Sequence, residues 1–154
     1  MALSDHLRGF PDLPPLWTLG AMAASAALGR VLPAADLGGL GRVLGAAEIA
    51  AASGLAAWAA TRFARHRTPI EPHHRPRALI ADGPYAFTRN PIYLSLLGIA
   101  LGWALWLGPL AATAPVAGLA WVLDRRFAAP EEALLADAFG PEGRAYVARV
   151  PRWL

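Results

Sequence analysis

The chain has 154 residues, the length of one domain, with 56% hydrophobic residues, 16% charged residues and a net charge of +3. Soluble domains average about 25% charged residues, so this composition argues against a soluble globule and predicts an integral membrane protein. The absence of cysteine excludes disulfides, thiolate metal sites and cysteine nucleophiles. Because the arginines flank apolar runs, the basic charge indicates membrane topology and no nucleic-acid partner.

Two apolar segments in the N-terminal half predict the first two membrane-spanning helices. The first, residues 16–32, has Trp17 at its start, where an amphipathic ring suits the membrane interface. The second, residues 43–60, is rich in small side chains, which let helices approach closely in lipid. It contains one carboxylate, Glu48, which at this depth is either functional or paired structurally with Arg42.

A long polar loop, residues 61–90, follows the second span and is too rich in proline for a continuous helix. Loops of this length in a compact domain are usually functional or disordered. His66, His73 and His74 lie in this loop, and their spacing matches no metal site, so no metal is predicted. Solvent exposure is the simpler interpretation of these histidines, and a place for His66 and His74 in a pocket is the alternative.

The C-terminal half contains an uncharged run from Ile92 to Leu123. As a single helix this run would extend for about 48 Å, well beyond a hydrocarbon core of roughly 30 Å. We therefore predict a helical hairpin with spans at residues 92–107 and 110–123, broken at Gly108-Pro109.

Residues 124–154 form a polar tail with short helices, one opened by Pro130 and interrupted at Gly140-Pro141. This tail and the loop 61–90 are the basic regions, so both are predicted to be cytoplasmic, together with the N-terminus. The fold prediction is all-α, with about four transmembrane helices in one domain, in a bacterial inner membrane. No feature of the sequence predicts an oligomeric state.

A polar constellation lies at the predicted cytoplasmic mouth of the hairpin. Gly83-Pro84 forces a turn. Arg89 can bind a carboxylate through bidentate hydrogen bonds, and Asn90 both donates and accepts hydrogen bonds. Pro91 begins the following helix, whose free N–H groups favour an anion. These residues by themselves predict an anion site at a membrane face.

The run from Gly83 to Leu94, Gly-Pro-Tyr-Ala-Phe-Thr-Arg-Asn-Pro-Ile-Tyr-Leu, resembles the signature of the isoprenylcysteine carboxyl methyltransferase and phospholipid methyltransferase superfamily. The tail is similar as well, with Pro130-Glu131-Glu132 followed by Val150-Pro151-Arg152. The resemblance covers about residues 61–154. Two positions depart from the pattern: Asn90 stands where eukaryotic carboxyl methyltransferases have histidine, and Ser95 stands where glycine is usual.

The resemblance implies a membrane methyltransferase that uses S-adenosylmethionine and takes a lipophilic acceptor from the bilayer through a tunnel. The methyl-accepting atom, a carboxylate oxygen, an amine nitrogen or a thiol sulfur, stays open. The implied cofactor residues are Gly83, Pro84 and Tyr85 in the pocket wall, Arg89, Asn90, Pro91 and Tyr93 near the methionine moiety, and Glu131 and Glu132 facing its ammonium or pairing with Arg89. Arg89 and Glu131 are the implied catalytic residues.

Two other functions remain as alternatives. An NADPH-dependent membrane reductase of the sterol type shares this C-terminal architecture, although this chain is short for that class. A non-catalytic membrane protein of the same fold is the second alternative. In simpler interpretations of the same residues, Arg89 is a positive-inside anchor, Tyr85 and Tyr93 belong to an interfacial belt, and Glu131-Glu132 are helix N-terminal charges.

Overall fold

The computed structural model describes residues 12–32, 35–66 and 78–154. Within these ranges the regular structure is helical, apart from an isolated β-bridge between Asp36 and Pro109, which confirms the all-α prediction. The α-helices of the described residues are α1 (Pro14–Val31), α2 (Gly38–Arg65), α3 (Pro91–Leu107), α4 (Ala114–Val122) and α5 (Ala129–Arg149).

Helix α2 is longer than the apolar segment that predicted it. It has 28 residues, and among the described residues it is the one helix that is long and apolar enough to cross a membrane. Only 17% of the residues in its most apolar stretch of 18 are buried inside the protein. Its last turn includes residues 61–65 of the predicted loop, because the first proline of that loop comes only at Pro69. Residues 67–77, with His73 and His74, lie outside the described residues.

Helices α2 and α3 pack with their backbones in close approach. A Cβ atom added to Gly45 would lie 2.4 Å from the carbonyl oxygen of Gly102 and 2.6 Å from the backbone nitrogen of Trp106. A Cβ atom added to Gly102 would lie 2.8 Å from the carbonyl oxygen of Gly45. Facing glycines therefore set the distance between the two helices, in the way that small residues do in membrane helix pairs.

The chain reverses after α3 at Gly108, whose φ of 101° is accessible to glycine and not to residues with a Cβ atom. A 3₁₀ turn, Leu110–Thr113, then leads into α4. The Leu37 N–H donates to the Gly108 carbonyl (3.1 Å), and the Leu110 N–H donates to the Ala35 carbonyl (2.9 Å). These bonds join the α1–α2 and α3–α4 connections at the end of the molecule opposite the signature segment.

The helical path continues from α4 into the polar tail through a π-helical segment, Leu123–Ala128. Helix α5 begins at Ala129 with Pro130 in its first turn, as predicted, although it continues from the π-helical segment without a break. Proline lacks an N–H donor and its ring crowds the preceding turn, and the wider π-helical turn before it gives that ring room. Gly140, with φ 55° and ψ −126°, kinks α5 at the predicted interruption.

The π-helical segment carries the centre of the core. Phe127 and Leu123 are fully buried and pack with Tyr93 and Ala100 of α3. A second cluster joins Ala59 of α2 to Ile80 and Tyr85 of the signature region. The first cluster holds the start of α3 against the π-helical segment that leads into α5, and the second holds the signature region against α2. Together these contacts position the candidate site.

Candidate functional site

The signature segment begins with a 3₁₀ turn, Gly83–Ala86, that lies directly on Arg62. Gly83 has φ 60°, and a Cβ atom there would lie 2.5 Å from Arg62 Nε. Arg62 Nη1 is 3.0 Å from the Asp82 carboxylate, and His66 Nε2 is 3.1 Å from the same carboxylate. Glycine is needed at position 83 for its positive φ, and it lies in close contact with Arg62, a residue that the motif did not indicate.

Tyr85 forms the inner wall of this segment. It is buried, and its ring meets Phe63 edge to face with 5.8 Å between centroids. The Tyr146 hydroxyl donates to the Tyr85 carbonyl (2.9 Å), which ties the signature to α5. Burial raises the pKa of Tyr85, so its phenol stays neutral at physiological pH. Pro84 is also fully buried, so this wall is rigid and apolar.

Arg89 connects the signature to α5. Its Nη1 donates to the Val147 carbonyl (3.0 Å), and its Nη2 is 3.2 Å from Glu132 Oε1. Both ion-pair partners are largely but not fully buried, with side-chain exposures of 10% and 12%. Arg89 Nε is buried and has no hydrogen-bond partner within the described ranges. Buried donors without a partner are costly, and Arg62 Nε next to the signature is in the same state.

The last residues of the chain cross the signature as a C-terminal strap, defined here as residues 150–153. The Arg89 N–H donates to the Pro151 carbonyl (2.9 Å). The Thr88 hydroxyl and the Asn90 amide both donate to the Arg152 carbonyl, each at 3.0 Å. Asn90 therefore has a structural role in holding the strap, and Pro91 is fully buried behind it as the first residue of α3.

Arg152 fixes the strap to the start of α5. Its guanidinium makes a bidentate salt bridge with Glu132, from Nε to Oε1 (2.6 Å) and from Nη2 to Oε2 (2.8 Å). Its Nη1 donates to Asp124 (3.1 Å), which also accepts from Trp153 Nε1 (3.0 Å). Burial opposes ionisation of Asp124, but the hydrogen bonds from Trp153 and Arg152 outweigh it and lower the pKa of this carboxyl.

We expect Arg152→Ala to free the strap without unfolding the helices. The substitution removes the contacts to Glu132 and Asp124, while Glu132 keeps its partner Arg89. Trypsin should then cut the Arg149–Val150 bond several-fold faster than in the wild type, since cleavage of a folded chain follows local opening. Arg125→Ala is the control because Arg125 is largely exposed and reaches Asp124 only at 3.7 Å. Equal cleavage rates in the two variants would contradict a holding role for Arg152.

The two adjacent carboxylates face different partners. Glu132 lies between Arg89 and Arg152, whereas Glu131 accepts a short hydrogen bond from the Tyr93 hydroxyl. Burial raises the pKa of Glu131 to about 7, although the hydrogen bond from Tyr93 acts in the opposite direction. Glu132 is therefore a member of an ionic network, and Glu131 is a carboxyl that can hold or release a proton near neutral pH.

The Glu131 carboxyl predicts a pH dependence of stability. Its pKa is raised from 4.5 to about 7 in the folded state, so folding favours the protonated form. The resulting stabilisation is complete below pH 4.5 and is lost as the pH rises through about 7. We expect Glu131→Gln to remove this dependence, because glutamine stays neutral. Unfolding midpoints measured in detergent from pH 4 to pH 8 for both proteins check this, and parallel curves would refute it.

The sequence-predicted residues thus fall into two groups at the junction of α3, α5 and the strap. Gly83, Pro84 and Tyr85 form the wall, and the polar side chains lie in front of it: Arg89, Asn90, Tyr93, Glu131 and Glu132. Sequence reasoning missed Arg62, Asp124 and Arg152 as parts of the site. The arginine of the Val-Pro-Arg ending was a signal for Arg152, whereas nothing in the signature pointed to Arg62 or Asp124.

Comparison with known proteins gives a family match over most of the chain. A family model described as phospholipid methyltransferase matches residues 40–142, which include the signature and both glutamates. A Haemophilus influenzae protein named as uncharacterized is 44% identical over 63 residues, which are 41% of this chain and 100% of that protein. No solved structure matches the chain.

Proposed function

The chain belongs to the phospholipid methyltransferase family, and on that premise we propose that it transfers a methyl group from S-adenosylmethionine to a lipophilic acceptor. The observation that carries the proposal is the ion pair between Arg89 and Glu132, in which the buried Nε of Arg89 still lacks a partner among the described residues. The two motifs that are far apart in sequence meet at this point, at the junction of α3 and α5.

The polar groups of the site fit the charges of S-adenosylmethionine. The cofactor carries a carboxylate, an ammonium and a sulfonium, and when bound it supplies the methyl group. The free Nε of Arg89 would suit the carboxylate, since guanidinium N–H groups hold carboxylates well. Glu131 and Glu132 would suit the cationic groups, and the Tyr93 ring offers an aromatic surface for a cation.

The residues of the chain contribute mainly position and exclusion of water. Methyl transfer depends on holding donor and acceptor in line in a dry site, and it requires no strong acid or base. The buried wall of Pro84 and Tyr85 excludes water on one side. Glu131, with a pKa of about 7, could take a proton from an acceptor that must lose one. In this proposal Arg89 and Glu131 are the catalytic residues.

We place the protein in a bacterial inner membrane with four spans near residues 16–32, 43–60, 92–107 and 110–123. The support is the outward-facing apolar surface of the helices, with large exposed hydrophobic side chains such as Trp17, Val43, Trp58, Trp106 and Trp121. Lipid would cover such a surface, whereas exposing it to water would cost a large amount of free energy. The basic character of the loop 61–90 and of the tail 124–154 supports our proposal that both termini and the site lie on the cytoplasmic side.

The proposal is tested with S-adenosylmethionine that carries a radiolabelled methyl group. The purified protein in detergent is incubated with it and with a total bacterial lipid extract, and we expect label to appear in the organic phase. Label that stays in water although the cofactor binds would contradict a lipophilic acceptor. NADPH is titrated in parallel, and binding of NADPH without binding of S-adenosylmethionine would overturn the proposal in favour of a reductase.

A further inference from the structure

An open groove of about 440 Å³ lies between α2, α3 and α4. Its size falls within the range of small-molecule sites. Its lining is apolar with the exception of one carboxylate, Glu48. The groove is lined by residues that include Glu48, Ala51, Leu94, Gly98, Val116 and Leu154.

Glu48 has no partner in the part of the chain that the structure describes, neither a hydrogen bond nor an ion pair. The pairing with Arg42 that the sequence allowed is not formed. Glu48 lies over Gly98, where an added Cβ atom would be 2.8 Å from Glu48 Oε1. Glycine at position 98 thus leaves room for the carboxylate beside the groove, and the cost of an unpaired carboxylate among apolar side chains is not offset within the described chain.

The groove begins next to the candidate site and continues away from it. Leu94 and Leu154 line it, and they directly follow Tyr93 and Trp153 in the sequence. Gly98 lies five residues after Tyr93 on α3, so Glu48 is displaced by roughly 8 Å along the helix axis at 1.5 Å per residue. A group bound to Glu48 is therefore separate from the atom that would accept a methyl group beside Tyr93 and Glu131.

We propose that this groove binds a lipophilic amine, with the hydrocarbon chain along α3 and α4 and the ammonium on Glu48. Charge complementarity selects this occupant. An ammonium supplies the partner that Glu48 lacks, and a charge-assisted hydrogen bond in an apolar groove is strong. A fatty acid would place two carboxylates together, and a neutral lipid would leave Glu48 unpaired. This binding requires no cofactor and does not depend on the proposed methyl transfer.

The test uses two photoactivatable probes of equal chain length, hexadecylamine and hexadecanol, each with a diazirine in the chain. The full-length protein in detergent is irradiated with each probe without S-adenosylmethionine, and mass spectrometry maps the labelled residues. We expect the amine to label groove residues such as Leu94 and Val116. Glu48→Gln should lower amine labelling roughly tenfold or more, as expected for loss of a charged hydrogen bond, and should leave hexadecanol labelling unchanged.

Two further variants keep the test decisive. Glu142→Gln, an equal change at an exposed glutamate of α5, should leave labelling by both probes unchanged. Ala51→Phe should fill the groove and reduce labelling by both probes, and it carries the test alone if Glu48→Gln does not fold. Equal labelling by amine and alcohol in the wild type would overturn the proposal. Amine labelling that Glu48→Gln does not reduce would overturn it as well. If Glu48→Gln does not fold, amine labelling that Ala51→Phe does not reduce would have the same meaning.

Discussion

Replacing Arg89 with alanine should reduce the affinity for S-adenosylmethionine by ten- to a hundredfold. Hydrogen bonds to charged groups contribute about 1.5–3 kcal/mol, and each factor of ten in affinity corresponds to about 1.4 kcal/mol. The variant removes the buried guanidinium whose Nε has no partner within the described residues, and with it the group that would hold the cofactor's carboxylate. Calorimetric titration of the detergent-purified proteins measures the change.

The Arg89→Ala variant should still fold, because Glu132 keeps its bidentate salt bridge with Arg152. Arg89→Lys separates charge from geometry: it keeps the positive charge but loses the planar donor fork, so it should restore little of the affinity. Arg144→Ala removes an exposed arginine of α5 and is the matched control. Wild-type affinity in folded Arg89→Ala would show that the cofactor binds elsewhere.

Replacing Gly45 with alanine should destabilise the protein by about 3 kcal/mol, the upper part of the range for overpacked contacts. The new methyl group would meet the backbone of α3 at Gly102 and Trp106, at distances between 2.4 and 3.0 Å. Backbone atoms cannot rotate away as the end of a flexible side chain can, so the two helices must separate. Denaturant titration in detergent, followed by circular dichroism, measures the free energy of unfolding.

Gly54→Ala makes the same chemical change on the same helix and is the matched control. No atom lies within 4 Å of a Cβ atom added at Gly54. Alanine exceeds glycine in helix propensity by about 1 kcal/mol, so this variant should be unchanged or slightly more stable. Equal stability of the two variants would show that the distance between α2 and α3 at Gly45 is larger than in the structure.

The local turns and helix breaks were readable from the sequence because they depend on neighbouring residues. Gly83-Pro84 predicts a turn and Gly108-Pro109 a helix break, since the backbone angles of glycine and proline are local properties. The continuation of helix through Asp124 was not readable. Polarity indicated a tail there, but burial of Leu123 and Phe127 against α3 carries the helix onward through a π-helical segment.

What the sequence by itself determined was the helical fold, its apolar segments and the two motifs that identify the family. What only the tertiary structure decided was the pairing between those motifs. Glu131 and Glu132 are adjacent and chemically alike, yet one meets Tyr93 and the other lies between Arg89 and Arg152. The packing of α3 against the π-helical segment fixes which glutamate faces Tyr93 and which faces the two arginines. Such contacts join residues that are far apart in the chain, so the tertiary packing sets them and the local sequence does not.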